Sequence, residues 1–271
     1  MSNKYCPENG MLLNKKNYPV LLFTLLNGLS IQAIQAGGLL NEDELAMMNP
    51  ANTFPPFIFT YSAGMVWENS EKIQKIYLAP EIKKTYDADN TSKPLFSNEI
   101  FLGLECALNE KLYGQLGIAV AAASTDHLSG DIWDDADPQF NNFNYHYKIN
   151  HTYLGLKGKI LSAMDFLVTP WISASVGLGF NKAHNFSNTP TIYEAVVNPN
   201  FSSHTQTTFS YTLGAGMQRA LTENWEIGIG YEFSDWGKSK LGRAAGQTQK
   251  SGLILDHLYT NGFLLNITYL Q

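Results

Sequence analysis

Two carboxylates stand six residues apart in the stretch 225–236, WEIGIGYEFSDW, where large apolar residues alternate with glycine, serine and glutamate. Paired carboxylates carry out glycoside hydrolysis when they stand about 5–10 Å apart. In an extended strand, Glu226 and Glu232 share one face but are separated by about 20 Å. The spacing therefore excludes a joint catalytic role and places two charges on the small-residue face of a strand.

A dense group of oxygen-bearing side chains lies within residues 125–138, TDHLSGDIWDDADP, and comprises His127, Asp131, Asp134, Asp135 and Asp137. Several carboxylates close together suit a divalent cation such as Ca²⁺. The D-x-D-x-D-G-x₅-E spacing of an EF-hand loop is absent. Two interpretations stay open: a cation-binding loop and an acidic loop that is simply solvated.

A basic segment follows at residues 237–252, GKSKLGRAAGQTQKSG, with the cations Lys238, Lys240, Arg243 and Lys250 and no acidic residue. Such a segment could meet an anionic surface through its charge. A flexible, solvated basic loop is the alternative interpretation.

The composition points away from an ordinary soluble domain. Charged residues make up 15% of the 271-residue chain and aromatic residues 13%, whereas average globular domains carry about 25% charged residues. The formal net charge of −6 argues against a nucleic-acid partner, which normally requires a basic patch. Part of the surface is therefore expected to face something other than water.

Residues 1–36 have the layout of a cleaved signal peptide, because Lys15 and Lys16 precede an apolar stretch that ends in small residues. The apolar part is shorter than the roughly 20 residues of a transmembrane helix. Cleavage after Ala36 or after Ala33 fits the pattern, and a buried N-terminal helix is the alternative. Cleavage would leave Cys106 as the only cysteine, so no internal disulfide is expected.

Period-two alternation recurs along the rest of the chain. Successive side chains of a strand point to opposite faces, and here one face is large and apolar while the other is rich in glycine, alanine, serine and threonine. Eight segments are predicted as strands: 57–67, 98–108, 112–122, 150–160, 166–181, 208–218, 225–236 and 262–269.

The connections between these strands alternate in length. Short turns follow the second, fourth and sixth strands, whereas long polar segments lie near 69–97, 125–145, 182–207 and 238–256. This alternation is typical of an all-β, antiparallel up-and-down barrel that spans a membrane. A soluble eight-stranded barrel is the alternative, but its apolar side chains face inward. The small, polar faces here suit a narrow lumen rather than an apolar core.

Residues 57–271 resemble the eight-stranded outer-membrane barrels of Gram-negative bacteria, the group of the OmpA transmembrane domain, OmpX and the opacity proteins. The segments WEIGIGYEFSDWG, YLGLKGKIL and NGFLLNITYLQ carry the resemblance. It implies short periplasmic turns and four long extracellular loops. Residues 37–56 are assigned to a periplasmic N-terminal segment, and a segment that dips into the barrel is the alternative. The resemblance also implies that the barrel-assembly machinery reads the last strand, with Tyr269 as the terminal aromatic, although Leu270 and Gln271 follow it.

Several charges fall on the faces that would line such a barrel. Because a buried charge must be paired, we predict an interior network of Glu105, Lys157 and Glu232, with Glu226 on the same inward face. The network would plug the lumen, and gating of a channel and catalysis are the alternatives. The interfacial aromatic girdles are assigned to Trp67, Trp225, Trp236, Tyr231 and Tyr269.

These observations favour a non-enzymatic surface protein of the cell outer membrane, without a cofactor or metal. Its predicted partners are membrane lipids, lipopolysaccharide and a host or surface ligand bound by the long loops. A small porin-like channel is the alternative. An enzyme ranks third, either a protease-like barrel using His127 and the aspartates or a lipid-A-modifying barrel using His146, His151 and Ser173, which are scattered in the sequence.

Overall fold

The computed structural model describes residues 55–69, 73–89, 94–134, 137–162, 167–193, 195–196 and 198–271. The predicted signal peptide at 1–36 and nearly all of the segment 37–56 lie outside the described residues, as do Asp135 and Phe166. Among the described residues, no helix is long and apolar enough to cross a lipid bilayer.

Twelve strands make up most of the described chain. In chain order they are β1 (Phe57–Asn69), β2 (Ile73–Ala79), β3 (Ile82–Ala88), β4 (Pro94–Asn109), β5 (Leu112–Asp134), β6 (Asn141–Ser162), β7 (Thr169–Pro190), β8 (His204–Ala220), β9 (Trp225–Asp235), β10 (Ser239–Lys240), β11 (Ile254–Leu255) and β12 (Tyr259–Leu270). A 3-10 turn, Pro138–Phe140, lies between β5 and β6.

Eight of these strands close into a barrel in the order β1-β4-β5-β6-β7-β8-β9-β12, with β12 paired back to β1. Every neighbouring pair is antiparallel. The predicted eight-stranded, up-and-down barrel is therefore confirmed, and each predicted strand corresponds to one strand of the barrel. Because the sheet closes on itself, no barrel strand has an edge of unpaired backbone N–H and C=O groups. Such unpaired groups are too costly in lipid.

The apolar face of each strand lies on the outside of the barrel. On β9, Ile227, Ile229 and Tyr231 are 43–45% exposed, whereas Gly230 is buried and Glu232 half-buried on the inner face. An apolar exterior around a polar interior is the reverse of a soluble barrel and suits a hydrocarbon environment. Trp225 and Tyr269 lie at the short-turn rim with ring centroids 5.1 Å apart.

Beyond the apolar band, three strands continue on the side of the long connections. β5 and β6 stay paired up to Trp133 and Asn141, and β7 stays paired with β6 up to Pro190. The hairpin of β2 and β3 joins this extension through β5. The segment 125–145, which the sequence predicted as a long loop, is therefore mostly strand that ends in a tight connection.

Two β-bulges reverse the inward parity of the extended strands. One extra residue in β5 lies between Ala123 and Asp126, and one in β7 lies between His184 and Ser187. In β5, Ala121 is buried below the bulge and Ile132 above it, so that the inward positions change from odd to even numbers. Asn185, at the second bulge, has φ 55°, a left-handed conformation that asparagine tolerates better than most residues.

The strand extensions and the connections at 191–203 and 236–258 fold together into a cap. Its core is an aromatic cluster of Tyr86, Tyr145, Phe186 and Phe201, whose ring centroids lie 4.8–5.9 Å apart around the cluster. Leu241 and Leu258, from the 236–258 connection, are fully buried in the same core. Apolar burial therefore orders segments whose composition suggested polar loops.

Candidate functional site

A three-member ion network crosses the lumen at the middle of the barrel. The ammonium of Lys157 donates to Glu99 Oε1 at 2.6 Å and to Glu232 Oε2 at 3.2 Å. All three side chains are at most 12% exposed. One cation on β6 thus binds two carboxylates, one from β4 and one from β9. These contacts connect three strands across the barrel interior.

Glu105, which the sequence grouped with Lys157, lies elsewhere in the lumen. Its carboxylate accepts a hydrogen bond from Gln115 Nε2 at 2.8 Å. Glu99, instead of Glu105, pairs with Lys157. Both glutamates lie on the inward face of β4, so alternation alone cannot choose between them. Strand tilt and stagger decide which one meets a residue two strands away.

A second polar group fills the lumen nearer the short turns. The ammonium of Lys159 donates to Gln218 Oε1, and Gln218 Nε2 donates to Glu226. Lys159 also lies 4.7 Å above the ring of Trp171, within cation–π range. Glu226 therefore belongs to this lower group and not to the Lys157 network.

The space left inside the barrel is small. The void lined by Ser62, Lys157 and Trp171 has a volume of about 30 Å³, and the one beside Tyr153 and Glu232 about 10 Å³. Tyr153 Oη donates to Ser175 Oγ at 2.8 Å, which closes part of the remaining width. Each of these two voids has room for a water molecule or two at most.

The outer end of the lumen is closed by Trp236, which the sequence assigned to an interfacial girdle. Its indole is 4% exposed and donates to Thr260 Oγ1 at 2.8 Å. Asn181 Nδ2 donates to the Trp236 carbonyl at 2.8 Å, while Asn181 Oδ1 lies 3.0 Å from His151 Nδ1. The girdle assignment of Trp236 is wrong, because Trp236 continues the inward, even-numbered positions just beyond the end of β9 and covers the lumen.

A cleft of about 570 Å³ opens on the cap, between the β2–β3 hairpin and the two long connections. Most of its lining is apolar, with Leu78, Ala79, Ile82, Phe143, Ile192 and Val196 among the lining residues. Its polar lining includes the ion pair of Lys84 with Asp134 and the amide of Asn198.

Sequence comparison places the chain among known barrels. The family model "Outer membrane protein beta-barrel domain" matches residues 83–269, from β3 to β12. The chain belongs to this outer-membrane β-barrel family. Its place is the outer membrane, with the apolar exterior of the barrel among lipids.

Solved structures of other outer-membrane barrels resemble the chain. They include the surface protein NspA of Neisseria, at 14% identity over 79% of this chain and 96% of that chain with a TM-score of 0.41. The protease OmpT of Escherichia coli has 7% identity over 83% and 99% with a TM-score of 0.47, and OprG of Pseudomonas aeruginosa has 12% over 80% and 96% with a TM-score of 0.37. Among curated proteins, no sequence match is found.

In this outer-membrane barrel, the predicted acidic group is divided between two faces of the cap. His127 is exposed on the outer face of β5, whereas Asp134 pairs with Lys84 and accepts from Asn142 Nδ2 at 2.6 Å. Asp137 caps the 3-10 turn by accepting from Gln139 N at 3.0 Å. Asp131 is half-buried on β5 opposite Asp87. The described residues contain no group of three or more histidine, cysteine or acidic side chains arranged to hold a metal ion.

The predicted basic segment is folded onto the cap of the barrel. Lys238 pairs with Asp256 at 3.3 Å, and Arg243 Nε donates to the Lys250 carbonyl at 2.7 Å. The Lys250 ammonium lies 5.5 Å from the centroid of the Tyr77 ring, and Lys240 belongs to the short strand β10. The four cations thus lie in a segment that makes contacts within itself and with Tyr77 of β2.

The residues considered for a lipid-A-modifying site do not meet in the barrel. His151 pairs in register with Asn181, whereas Ser173 pairs with Lys159, eight positions lower on the same two strands. His146 is exposed on the cap and lies 3.1 Å from Ser187 Oγ through its Nε2. A nucleophile and its base must lie within hydrogen-bond reach, so these three residues do not form such a site.

Proposed function

We propose that the chain is an outer-membrane surface protein in which a closed barrel anchors an extracellular cap that binds ligands. One contrast carries the proposal: side chains fill the lumen, while the cap has an ordered core and an open cleft. A rigid scaffold that presents structured connections to the outside is a common arrangement for binding.

The barrel interior supports an anchoring role. A channel needs an unbroken path wide enough for its solute, whereas the Lys157 network and the Trp236 lid both stand across the lumen. Removing one member of such a network would leave a buried charge unpaired, which costs several kcal/mol. The network therefore stabilises the closed arrangement rather than a loosely held gate.

The outer surface supports contact with anionic envelope components. Lys240 and Arg243 are carried at fixed positions by the 236–258 connection, so their charge is held in place for the phosphates of lipopolysaccharide. The long connections are also the surface on which a host or other external ligand would bind. During insertion, the barrel-assembly machinery would read β12, whose Tyr269 packs on Trp225.

Two measurements on the purified full chain and on intact cells test this proposal. In a planar bilayer, the closed lumen predicts the absence of large, steady single-channel steps. An epitope inserted after Gln249, in the exposed part of the 236–258 connection, should be detected by antibody on intact cells. Steady conductance would replace the proposal with a porin-like channel, and detection only after permeabilisation would contradict the extracellular placement of the cap.

A comparison of variants separates binding from enzymatic activity. His127→Ala and Asp135→Ala remove two side chains of the acidic group that a protease-like mechanism would use. Under the proposal, neither change alters lipid A or the cleavage of a peptide substrate by cells that carry the protein. A loss of either reaction in His127→Ala, with the protein folded and inserted, would favour the enzyme.

A further inference from the structure

The cleft on the cap has the size and lining of a small-molecule site. Its volume of about 570 Å³ falls in the range of roughly 300–1,000 Å³ that is usual for ligand pockets. At its mouth, Ile82 is 50% exposed, Ile192 45% and Val196 85%. These side chains lie in the aqueous part of the protein, where exposed apolar groups concentrated at one place mark a binding surface.

A buried amide in the wall of the cleft carries an unused hydrogen-bond donor. Asn198 lines the cleft and is 9% exposed, and its Nδ2 has no acceptor among the described residues. The main chain at Asn198 is held in place, because its N–H donates to Asn188 Oδ1 at 3.2 Å and its carbonyl accepts from Asn188 Nδ2 at 2.9 Å. A buried donor that lacks a protein acceptor calls for a partner, and a ligand toward which the amide turns in the cleft would supply one.

The charges lining the cleft favour a neutral ligand. Lys84 and Asp134 form an ion pair, and Asp134 also accepts from Asn142. The two formal charges therefore cancel within the wall. An anionic ligand would face Asp134, and a cationic ligand would face Lys84, so neither gains a net charge partner.

We propose that the cleft binds a neutral amphiphile of small-molecule size, with an aliphatic chain against the apolar wall and a carbonyl oxygen that accepts from Asn198 Nδ2. This inference rests on the proposed binding function of the cap and names the ligand class that the cleft would take. It concerns a site outside the barrel and does not require passage through the lumen.

The test uses the full chain in phosphatidylcholine nanodiscs, with isoleucine methyl groups labelled for NMR and N-methyloctanamide as the probe. Saturable shifts are expected at Ile82 and Ile192, which line the cleft. Lipid-facing Ile172 and Ile267 report partition of the probe into the bilayer and should show no saturation. Octanoate and octyltrimethylammonium, which carry a charge on the same chain length, should bind about tenfold more weakly or worse.

Two variants locate the probe. Asn198→Leu removes the donor at similar volume and should raise the dissociation constant about fivefold, the value of one neutral hydrogen bond. Ala245→Trp places a large ring in the exposed lining and should abolish the shifts at Ile82 and Ile192. Retention of the cap fold in both variants is checked by the unchanged methyl signal of Ile149, which is fully buried.

The outcomes separate this inference from the function on which it rests. Shifts that grow linearly and equally at all isoleucines, tighter binding of a charged probe, or full affinity in Asn198→Leu would each overturn the ligand class. Any of these results alongside a non-conducting barrel and a cap exposed on cells would leave the surface-binding role standing. Steady conductance would instead contradict the proposed function itself, whatever the methyl shifts show.

Discussion

Lys157 and Glu99 meet across the lumen with Nζ and Oε1 2.6 Å apart, although they lie 58 residues apart in the chain and on strands that are not neighbours. Both side chains are nearly inaccessible to water. In such surroundings each charge depends on its partners, because the protein interior replaces little of the lost hydration. The arrangement of side chains in the barrel interior therefore depends on charge pairing as well as on side-chain size.

Replacing Lys157 with methionine should destabilise the folded barrel by about 3 kcal/mol, because Glu99 and Glu232 would remain buried without a cation. The measurement is urea-induced unfolding in lipid vesicles, followed by the difference in gel mobility between folded and boiled protein. The matched control combines Lys157→Met with Glu99→Gln and Glu232→Gln, which removes all three charges and should recover most of the loss. Equal stability of the single variant and the wild type would contradict the pairing.

Gly230 and Trp171 are in close contact inside the barrel. A Cβ at Gly230 would lie 2.4 Å from Trp171 Cη2. The Trp171 indole, over which the Lys159 ammonium lies, would therefore have to move. We expect Gly230→Ala to destabilise the barrel by about 1–3 kcal/mol, as overpacking usually does. Gly158→Ala is the control, since the nearest atom to its added Cβ lies 3.9 Å away, and the same unfolding assay should find it near neutral.

The bulge at Asn185 offers a test of backbone conformation in the cap. A β-branched residue is strained at φ 55°, so Asn185→Val should lower the stability of the cap by about 1–2 kcal/mol. Asn185→Gly accepts this φ and should remain within about 0.5 kcal/mol of the wild type. Limited proteolysis of the cap on reconstituted protein measures both, and equal protection of the two variants would argue against the left-handed bulge.

Tyr86 should make the cap sensitive to alkaline pH. It lies on β3, outside the barrel, and burial raises the pKa of its phenol. The unfolded phenol ionises near pH 10 while the folded one stays protonated, so stability is present below about pH 10 and falls as the pH rises above it. The loss approaches about 1.4 kcal/mol per pH unit for one group.

The measurement compares the wild type with Tyr86→Phe from pH 8 to 11.5 by near-ultraviolet circular dichroism of the cap during urea unfolding. The stability advantage of the wild type over the variant should shrink above about pH 10. Tyr193→Phe makes the same chemical change at a fully exposed side chain and serves as the control. A difference between wild type and Tyr86→Phe that stays constant across this range would rule out a raised pKa.

Local sequence pattern accounts for the barrel strands because each strand in lipid must satisfy the same simple rule. Apolar residues at every second position, as in Ile227, Ile229 and Tyr231, meet lipid whatever the rest of the chain does, and the small residues between them must face the lumen. The rule fails in the cap. There, bulges reverse the parity of β5 and β7, and the surroundings are water and protein instead of lipid, so polar stretches form strands over an aromatic core.

By itself, the sequence determined the number of barrel strands, their inverted polarity and the inward placement of Glu226, Glu232 and Lys157, because a period of two depends only on the extended backbone. Only the tertiary structure decided that Glu99 and not Glu105 meets Lys157, and that Trp236 covers the lumen. Those contacts join residues far apart in the chain. They depend on the tilt and stagger of the closed sheet, which no single strand encodes.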